Sequence, residues 1–407
     1  MTKASNLIAR QPICTNKLKT IGYEILYRMG CDSNNAVVDN PDSASIDVLL
    51  ALFNDLAIKD VVGNKLAFIN FTGNLLVNGL PDIPPKQLVI ELLEDQEIND
   101  ELLAALTKLK KQGYRIALDD FSIDSTTLPL VEYANIIKVD VIQDPPQTWK
   151  EFIPPLKKKG VIFLAEKVET YGIFEECCDL GFDLFQGYFY EKPKIIAGKR
   201  LGNNQQTVIQ LMEEVNKENI DIDKITLLIS NDVNISYNLL RTINSGLYCL
   251  PTEITSIKHA ITLLGLANLK NWINIISLGT LNDKPQLLTE TAMVRAKMCE
   301  CLCENIGHRN QIDQYFTLGL FSLIDTFFDI SMEDVLKKLS LPPEIEKALR
   351  FFKGDMGDVL RIVIDYQTGD WEKERLNPLI CDGKLTEEQL TKAYLSSIQW
   401  VEENKIT

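Results

Sequence analysis

The sequence predicts an α/β barrel of the (β/α) type followed by an all-α helical bundle. Two observations predict the barrel. Short runs rich in Val, Ile and Leu recur through the first half of the 407 residues, and each ends on a polar residue. Glu24 closes TIGYE, Asn70 closes LAFIN, Glu91 closes QLVIE, Asp119 and Asp120 close RIALDD, Lys138 follows NII, Glu166 follows VIFLA and Gln186 follows FDLF. Such runs read as strands buried on both faces, and the C-terminal ends of successive parallel strands are where a (β/α) barrel keeps its chemistry. A third observation predicts the bundle: from about residue 204 the apolar spacing turns helical.

In chain order, strands are expected over 20–28, 66–71, 88–93, 115–120, 136–140, 161–165 and 183–187. Helical patterns lie between them, in DSASIDVLLALFNDL, NDELLAALTKLKKQG and IFEECCDLG. Repeated βα units imply a parallel sheet, closed or open. Pro193 ends the series, and the polar stretch 194–206 reads as a connection. The later helical runs include TVIQLMEEVNK, SYNLLRTINSG, IKHAITLLGL and NLKNWINIISLG. Asp and Asn ahead of several runs fit N-caps, and Gly246, Gly265 and Gly279 fit C-terminal stops.

Composition bounds the function. The hydrophobic fraction of 45% and charged fraction of 24% are those of a soluble globular protein. No apolar run approaches the roughly 20 residues of a membrane helix, and the N-terminus lacks a signal-peptide core. A cytoplasmic protein without membrane partners is expected. A net charge of −15 disfavours DNA as a partner. Nine cysteines show no CxxC spacing and read as reduced, packed thiols. Two histidines, His259 and His308, are too few for a site built on several imidazoles. Carboxylates gathered at one barrel mouth repel unless cations sit among them, and hard oxygen donors suit Mg²⁺ or Mn²⁺.

The first half resembles the EAL family of cyclic di-GMP phosphodiesterases. The motifs that carry this stand in family order over residues 8–193: Gln11-Pro12, Glu24-Ile25-Leu26-Tyr27-Arg28, Phe68-Ile69-Asn70, Glu91-Leu92-Leu93-Glu94, Asp119-Asp120-Phe121, Lys138-Val139-Asp140, Ala165-Glu166-Lys167-Val168-Glu169-Thr170 and Gln186-Gly187-Tyr188. The resemblance implies a TIM-like barrel over 1–196 that binds cyclic di-GMP and opens it to pGpG. It implies that Glu24, Asn70, Glu91 and Asp119 hold a first Mg²⁺ or Mn²⁺. Asp120, with Glu166 nearby, completes a second site, and Lys138 orients the attacking water. Gln11, Arg28 and Gln186 lie on the substrate side, Gln186 through a ligand water, and Glu94 and Glu169 support a loop.

Two departures stand out. Ser122–Pro129 contains no glycine where the family has a Gly-rich loop, and Lys167 replaces a glycine. The lysine either supplies charge in place of a metal or points outward. The intact ligand set favours a phosphodiesterase of low or conditional activity. The altered loop favours the alternative, an inactive receptor or scaffold acting through protein contacts.

The second half resembles the HDOD module, through Leu239–Ser245 and Ile254–Gly265. This implies a metal-free helical domain over 204–407 that contacts a signalling protein; a homodimer is a separate possible assembly of the chain. No His-Asp dipeptide is present, so an HD-type hydrolase is not expected. His259 reads as packed or capping, and His308 as a surface residue. Leu247–Pro251 reads as an apolar loop.

Overall fold

The computed structural model describes residues 6–29, 58–79, 84–93, 96–122, 128–194, 203–217, 219–244, 254–279, 284–337, 339, 341–371 and 377–404. The helix expected over 42–56, Glu94, most of the altered loop (123–127), residues 195–202 of the connection, Gly246 and the segment Leu247–Pro251 lie outside the described residues.

Eight strands close a barrel in chain order. They are β1 (Asn6–Thr15), β2 (Thr20–Met29), β3 (Leu66–Phe71), β4 (Leu88–Leu92), β5 (Arg115–Leu118), β6 (Ile136–Asp140), β7 (Ile162–Glu166) and β8 (Leu184–Gln186). Strands β2 to β8 pair in parallel. The first strand corrects the expectation of seven parallel strands: β1 runs antiparallel to both β2 and β8. Its sequence, NLIARQPICT, carries Arg, Gln and Pro mid-run, and an internal Pro hides a strand from pattern reading.

The helices form where capping and charge favour them. In α1 (Asp100–Lys111), Asn99 Oδ1 accepts from Leu102 N–H, Asp100 and Glu101 sit in the first turn, and Lys108, Lys110 and Lys111 in the last. Each charge opposes the nearby end of the helix dipole. In α2 (Tyr171–Leu180), the Thr170 side chain caps Ile173 N–H and Gly181 ends the helix at φ 99°. The threonine that closes the Glu166–Thr170 motif therefore has a structural task.

The barrel interior contains Ile13, Phe68, Val89, Ala117, Ile136, Leu164 and Leu184. On β2 the matching position is Gly22, where a Cβ would stand 2.8 Å from the Phe68 ring. The ring of Phe68 thus fills the space that this glycine leaves.

Tyr366–Asp370 and Glu387–Glu402 belong to the same compact unit as the barrel. The end of helix α3 (Gly354–Thr368) and helix α4 (Glu387–Glu403) supply most of these residues. Strand β8 pairs with β1 only at Ile13–Thr15. Further along β1, two tyrosines serve the backbone: Ile8 N–H donates to Tyr366 Oη (3.4 Å), which donates to Ile8 C=O (3.0 Å), and Arg10 N–H donates to Tyr394 Oη (3.2 Å). Both tyrosines are buried, so each bond meets a backbone group that water cannot reach.

The second unit spans Glu191–Asp365, Trp371–Thr386 and Glu403–Thr407 and is helical in its described residues. Leu211, Ile225, Ile229, Leu239, Ile243, Ile261 and Ile273 form one of its cores. Asn244 exchanges two 2.8 Å bonds with the Ile254 backbone and so ties the ends of 245–253. His259 is exposed, which corrects its reading as packed; only its backbone N–H meets the Ser256 cap. His308 is half-buried and bonds Tyr315 Oη at 3.1 Å. No single described helix is long and apolar enough to cross a membrane.

Candidate active site

Side chains on a strand return to the same face every second residue. Asn70, Glu91, Asp119, Lys138, Glu166 and Gln186 each stand two residues beyond an interior side chain: Phe68, Val89, Ala117, Ile136, Leu164 and Leu184. Glu24 stands two beyond Gly22. On antiparallel β1 the count reverses, and Gln11 stands two before Ile13. All eight strands thus place one polar residue each in the layer directly above the apolar one.

The Lys138 ammonium lies at the centre of this layer. Its Nζ is 2.5 Å from Asp119 Oδ1, 2.7 Å from Glu91 Oε1, 2.9 Å from Glu166 Oε1 and 3.4 Å from Glu24 Oε2. Gln186 Nε2 donates to Gln11 Oε1 and Glu24 Oε2, both at 2.7 Å, and Asn70 Nδ2 to Glu24 Oε1 at 3.4 Å. Lys138 and Glu91 are fully buried.

Burial sets the protonation. It drives the Glu91 carboxyl well above the ordinary range, against the opposing pull of Lys138. It raises Asp119 in the same way and pushes Glu166 up to about 8. Burial also disfavours the Lys138 ammonium, but Glu24, Glu91, Glu166 and Asp119 outweigh it and hold the amine charged.

In this layer, among the described residues, the buried oxygens Asn70 Oδ1, Glu91 Oε2 and Gln186 Oε1 lack hydrogen-bond partners. Glu91 Oε1 also lacks one in hydrogen-bond geometry, although it forms an ion pair with Lys138. Orphaned buried acceptors are costly, and hard neutral and anionic oxygens are the donors that Mg²⁺ and Mn²⁺ take. The donor set therefore fits a divalent ion. Among the described residues, no three His, Cys, Asp or Glu side chains stand ready as a metal cage, and the four carboxylates face Lys138. An incoming ion competes with the ammonium for the same oxygens.

A second charged group flanks the first. Lys167 Nζ lies 2.5 Å from Asp140 Oδ2 and 4.0 Å from Asp120 Oδ2. Burial pushes the Asp140 carboxyl up, but bonds from Lys167 and the N–H groups of Ile142 and Gln143 outweigh it and hold it low. Asp120 and Lys167 both adopt left-handed backbone, at φ 38° and 55°, a conformation costing on the order of 1–3 kcal/mol outside glycine. Lys167 is half open to solvent, and its ammonium is turned to Asp140. Asp140 belongs to the Lys138-Val139-Asp140 motif, but the sequence assigns it no role. Its signal was its place two residues after Lys138, on the same face of β6.

Gly187 shapes the far side. At φ 142°, a Cβ there would meet Val168 C=O at 2.1 Å. Val168 N–H donates to Gln186 C=O at 3.0 Å, so the turns after β7 and β8 cross in contact. Arg28 lies on β2, and its side chain is outside the described residues, as is all of Glu94. Glu169 is exposed on the turn before α2.

An EAL domain family model matches residues 7–193, and an HDOD domain model matches residues 201–338. YuxH of Bacillus subtilis (strain 168) is 34% identical over 406 residues, 97% of each chain. A Vibrio cholerae serotype O1 protein named cyclic di-GMP phosphodiesterase CdgJ is 30% identical over 375 residues, 91% of this chain and 87% of CdgJ. The chain belongs to the EAL–HDOD proteins. Of solved structures, the manganese and cyclic di-GMP complex of Klebsiella pneumoniae BlrP1 overlaps 46% of this EAL–HDOD chain and 56% of its own, with 23% identity and a TM-score of 0.38. Residues 339–407 of the EAL–HDOD chain lie beyond both matched stretches. They include the α3 and α4 tyrosines that serve β1 of the EAL barrel.

Proposed function

We propose that the barrel is a divalent-metal-dependent phosphodiesterase that opens cyclic di-GMP to pGpG, and that the helical domain contacts a signalling protein. The observation that carries this reading is the single layer of strand-end residues with orphaned oxygens at Asn70, Glu91 and Gln186. The full-length relationship to CdgJ, named as a cyclic di-GMP phosphodiesterase, supports the substrate.

Glu24, Asn70, Glu91 and Asp119 hold the ion, Mg²⁺ or Mn²⁺. A bound divalent ion supplies a hydroxide-like water at neutral pH and charge stabilisation for the phosphoryl group. Lys138 orients the attacking water, and Asp120 and Glu166 flank it. Gln186 and Gln11 form a hydrogen-bonded pair on the substrate side, and Arg28 meets a phosphate as a planar fork. Glu94 and Glu169 support loops. Water adds to phosphorus, the bond to the ribose 3′ oxygen breaks, and that oxygen takes up a proton.

The domains run over 1–196 and 204–407, and the protein works in the cytoplasm, with homodimerisation as a further element of the reading. Buried free thiols at Cys14, Cys177, Cys299 and Cys303 suit a reducing compartment. Incubation of the full chain with cyclic di-GMP and Mn²⁺ or Mg²⁺, with products separated by chromatography, tests the activity. Appearance of pGpG supports it, and unchanged nucleotide at saturating metal overturns it.

A further inference from the structure

The charged group beside the main cluster carries an inference that rests on the metal-site reading above and deepens it. Phosphodiester hydrolysis by a metal pair uses two cations, one for the attacking oxygen and one for the leaving oxygen. In this chain the flank beside Asp119 already holds a cation. Lys167 comes from the turn after β7, and its ammonium reaches Asp140 at 2.5 Å and Asp120 at 4.0 Å. Half of its side chain stays open to solvent, so it is available at the barrel mouth.

Neither residue rests there by backbone preference, because Asp120 and Lys167 both take up left-handed conformations that favour glycine. Asp140, which receives Lys167, is anchored by the N–H groups of Ile142 and Gln143 at 2.8 and 3.2 Å. The lysine is therefore held at both ends, by its turn and by a fixed carboxylate.

We propose that Lys167 is the built-in second cation of this site. The chain takes a single divalent ion among Glu24, Asn70, Glu91 and Asp119, while the Lys167 ammonium pairs with Asp140, stands 4.0 Å from Asp120 and offers its remaining N–H groups to a phosphodiester oxygen. A lysine is a point charge with rotatable donors and cannot lower the pKa of a bound water as a metal does. A site built this way binds the anionic substrate and turns it over slowly.

The test counts ions. The full chain and its Lys167→Gly and Lys167→Arg variants are titrated with Mn²⁺, alone and with pGpG, and followed by electron paramagnetic resonance. The glycine variant relieves the left-handed backbone at 167 but leaves Asp140 without its ammonium, so circular dichroism and a denaturant melt check that each variant is folded before titration. The wild type and the arginine variant are expected to bind a single Mn²⁺ per chain, and the glycine variant to take a second, with the signal of a spin-coupled pair. A coupled pair in the wild type, or a single ion in the glycine variant, overturns the role of Lys167 and leaves the metal site standing. Absence of any Mn²⁺ binding in all three overturns the metal site and this inference together.

Discussion

The ammonium of Lys138 stands 2.7 Å from Glu91 Oε1, with both side chains sealed from solvent. A buried pair of this kind is costly to split, because either partner left alone is an uncompensated charge. Lys138 also faces Glu24, Asp119 and Glu166, so its loss exposes four carboxylates to each other.

Lys138→Met is therefore expected to lower stability by about 3–5 kcal/mol at neutral pH. The loss should shrink in acid, where the carboxyls carry protons, and on adding Mn²⁺. Denaturant melts with and without metal check this. Equal melts for wild type and variant would mean that the lysine is not the counter-ion.

Metal affinity should depend on pH in a definite direction. The Glu166 carboxyl is raised from 4.5 to about 8, chiefly by burial. Between those values the folded, metal-free protein holds a proton that the unfolded chain lacks, so its stability falls as pH rises through the window. An ion drawn to these carboxylates displaces that proton. Glu91 and Asp119, both raised by burial, hold protons in the same sense, so affinity should rise with pH, by roughly tenfold per unit for each proton displaced. Calorimetry across this range measures it, and a flat profile would contradict the protonation assigned to Glu166.

The tyrosines of the C-terminal helices should matter to the barrel. Tyr394→Phe leaves the Arg10 N–H without its 3.2 Å partner, at an expected cost of about 1–3 kcal/mol. Removal of 387–407 should cost more. A shift in denaturant midpoint, followed by a barrel tryptophan such as Trp149, reports it. No shift in either variant would show that α4 contributes nothing to β1.

The glycine of the last motif is predicted to be irreplaceable. Gly187→Ala places a Cβ 2.1 Å from Val168 C=O at a φ of 142°, and should cost about 3 kcal/mol or more. Denaturant unfolding checks this; a stable, active alanine variant would show that the two turns can separate.

Much of the site was legible because strand ends announce themselves: an apolar run stops on a carboxylate or amide, and period two fixes the face. That reasoning located Glu24, Asn70, Glu91, Asp119, Lys138, Glu166 and Gln186. It did not show that Lys138 reaches four carboxylates, since that depends on how the strands stagger around the closed barrel. It missed β1 because Pro12 broke the pattern, and it gave Asp140 no role because the apolar run NII already ends at Lys138. The return of α4 to the barrel was hidden for another reason. An amphipathic helix records that one face is buried, not against what.

The central claim is that the strand-end layer is a divalent-metal site, and a calorimetric titration of Mn²⁺ into wild type and Glu91→Gln tests it most directly. The account predicts that wild type binds and that the variant, with one anionic oxygen donor removed, binds about tenfold or more weakly. Equal affinity in the two proteins, or no binding in wild type, would contradict it.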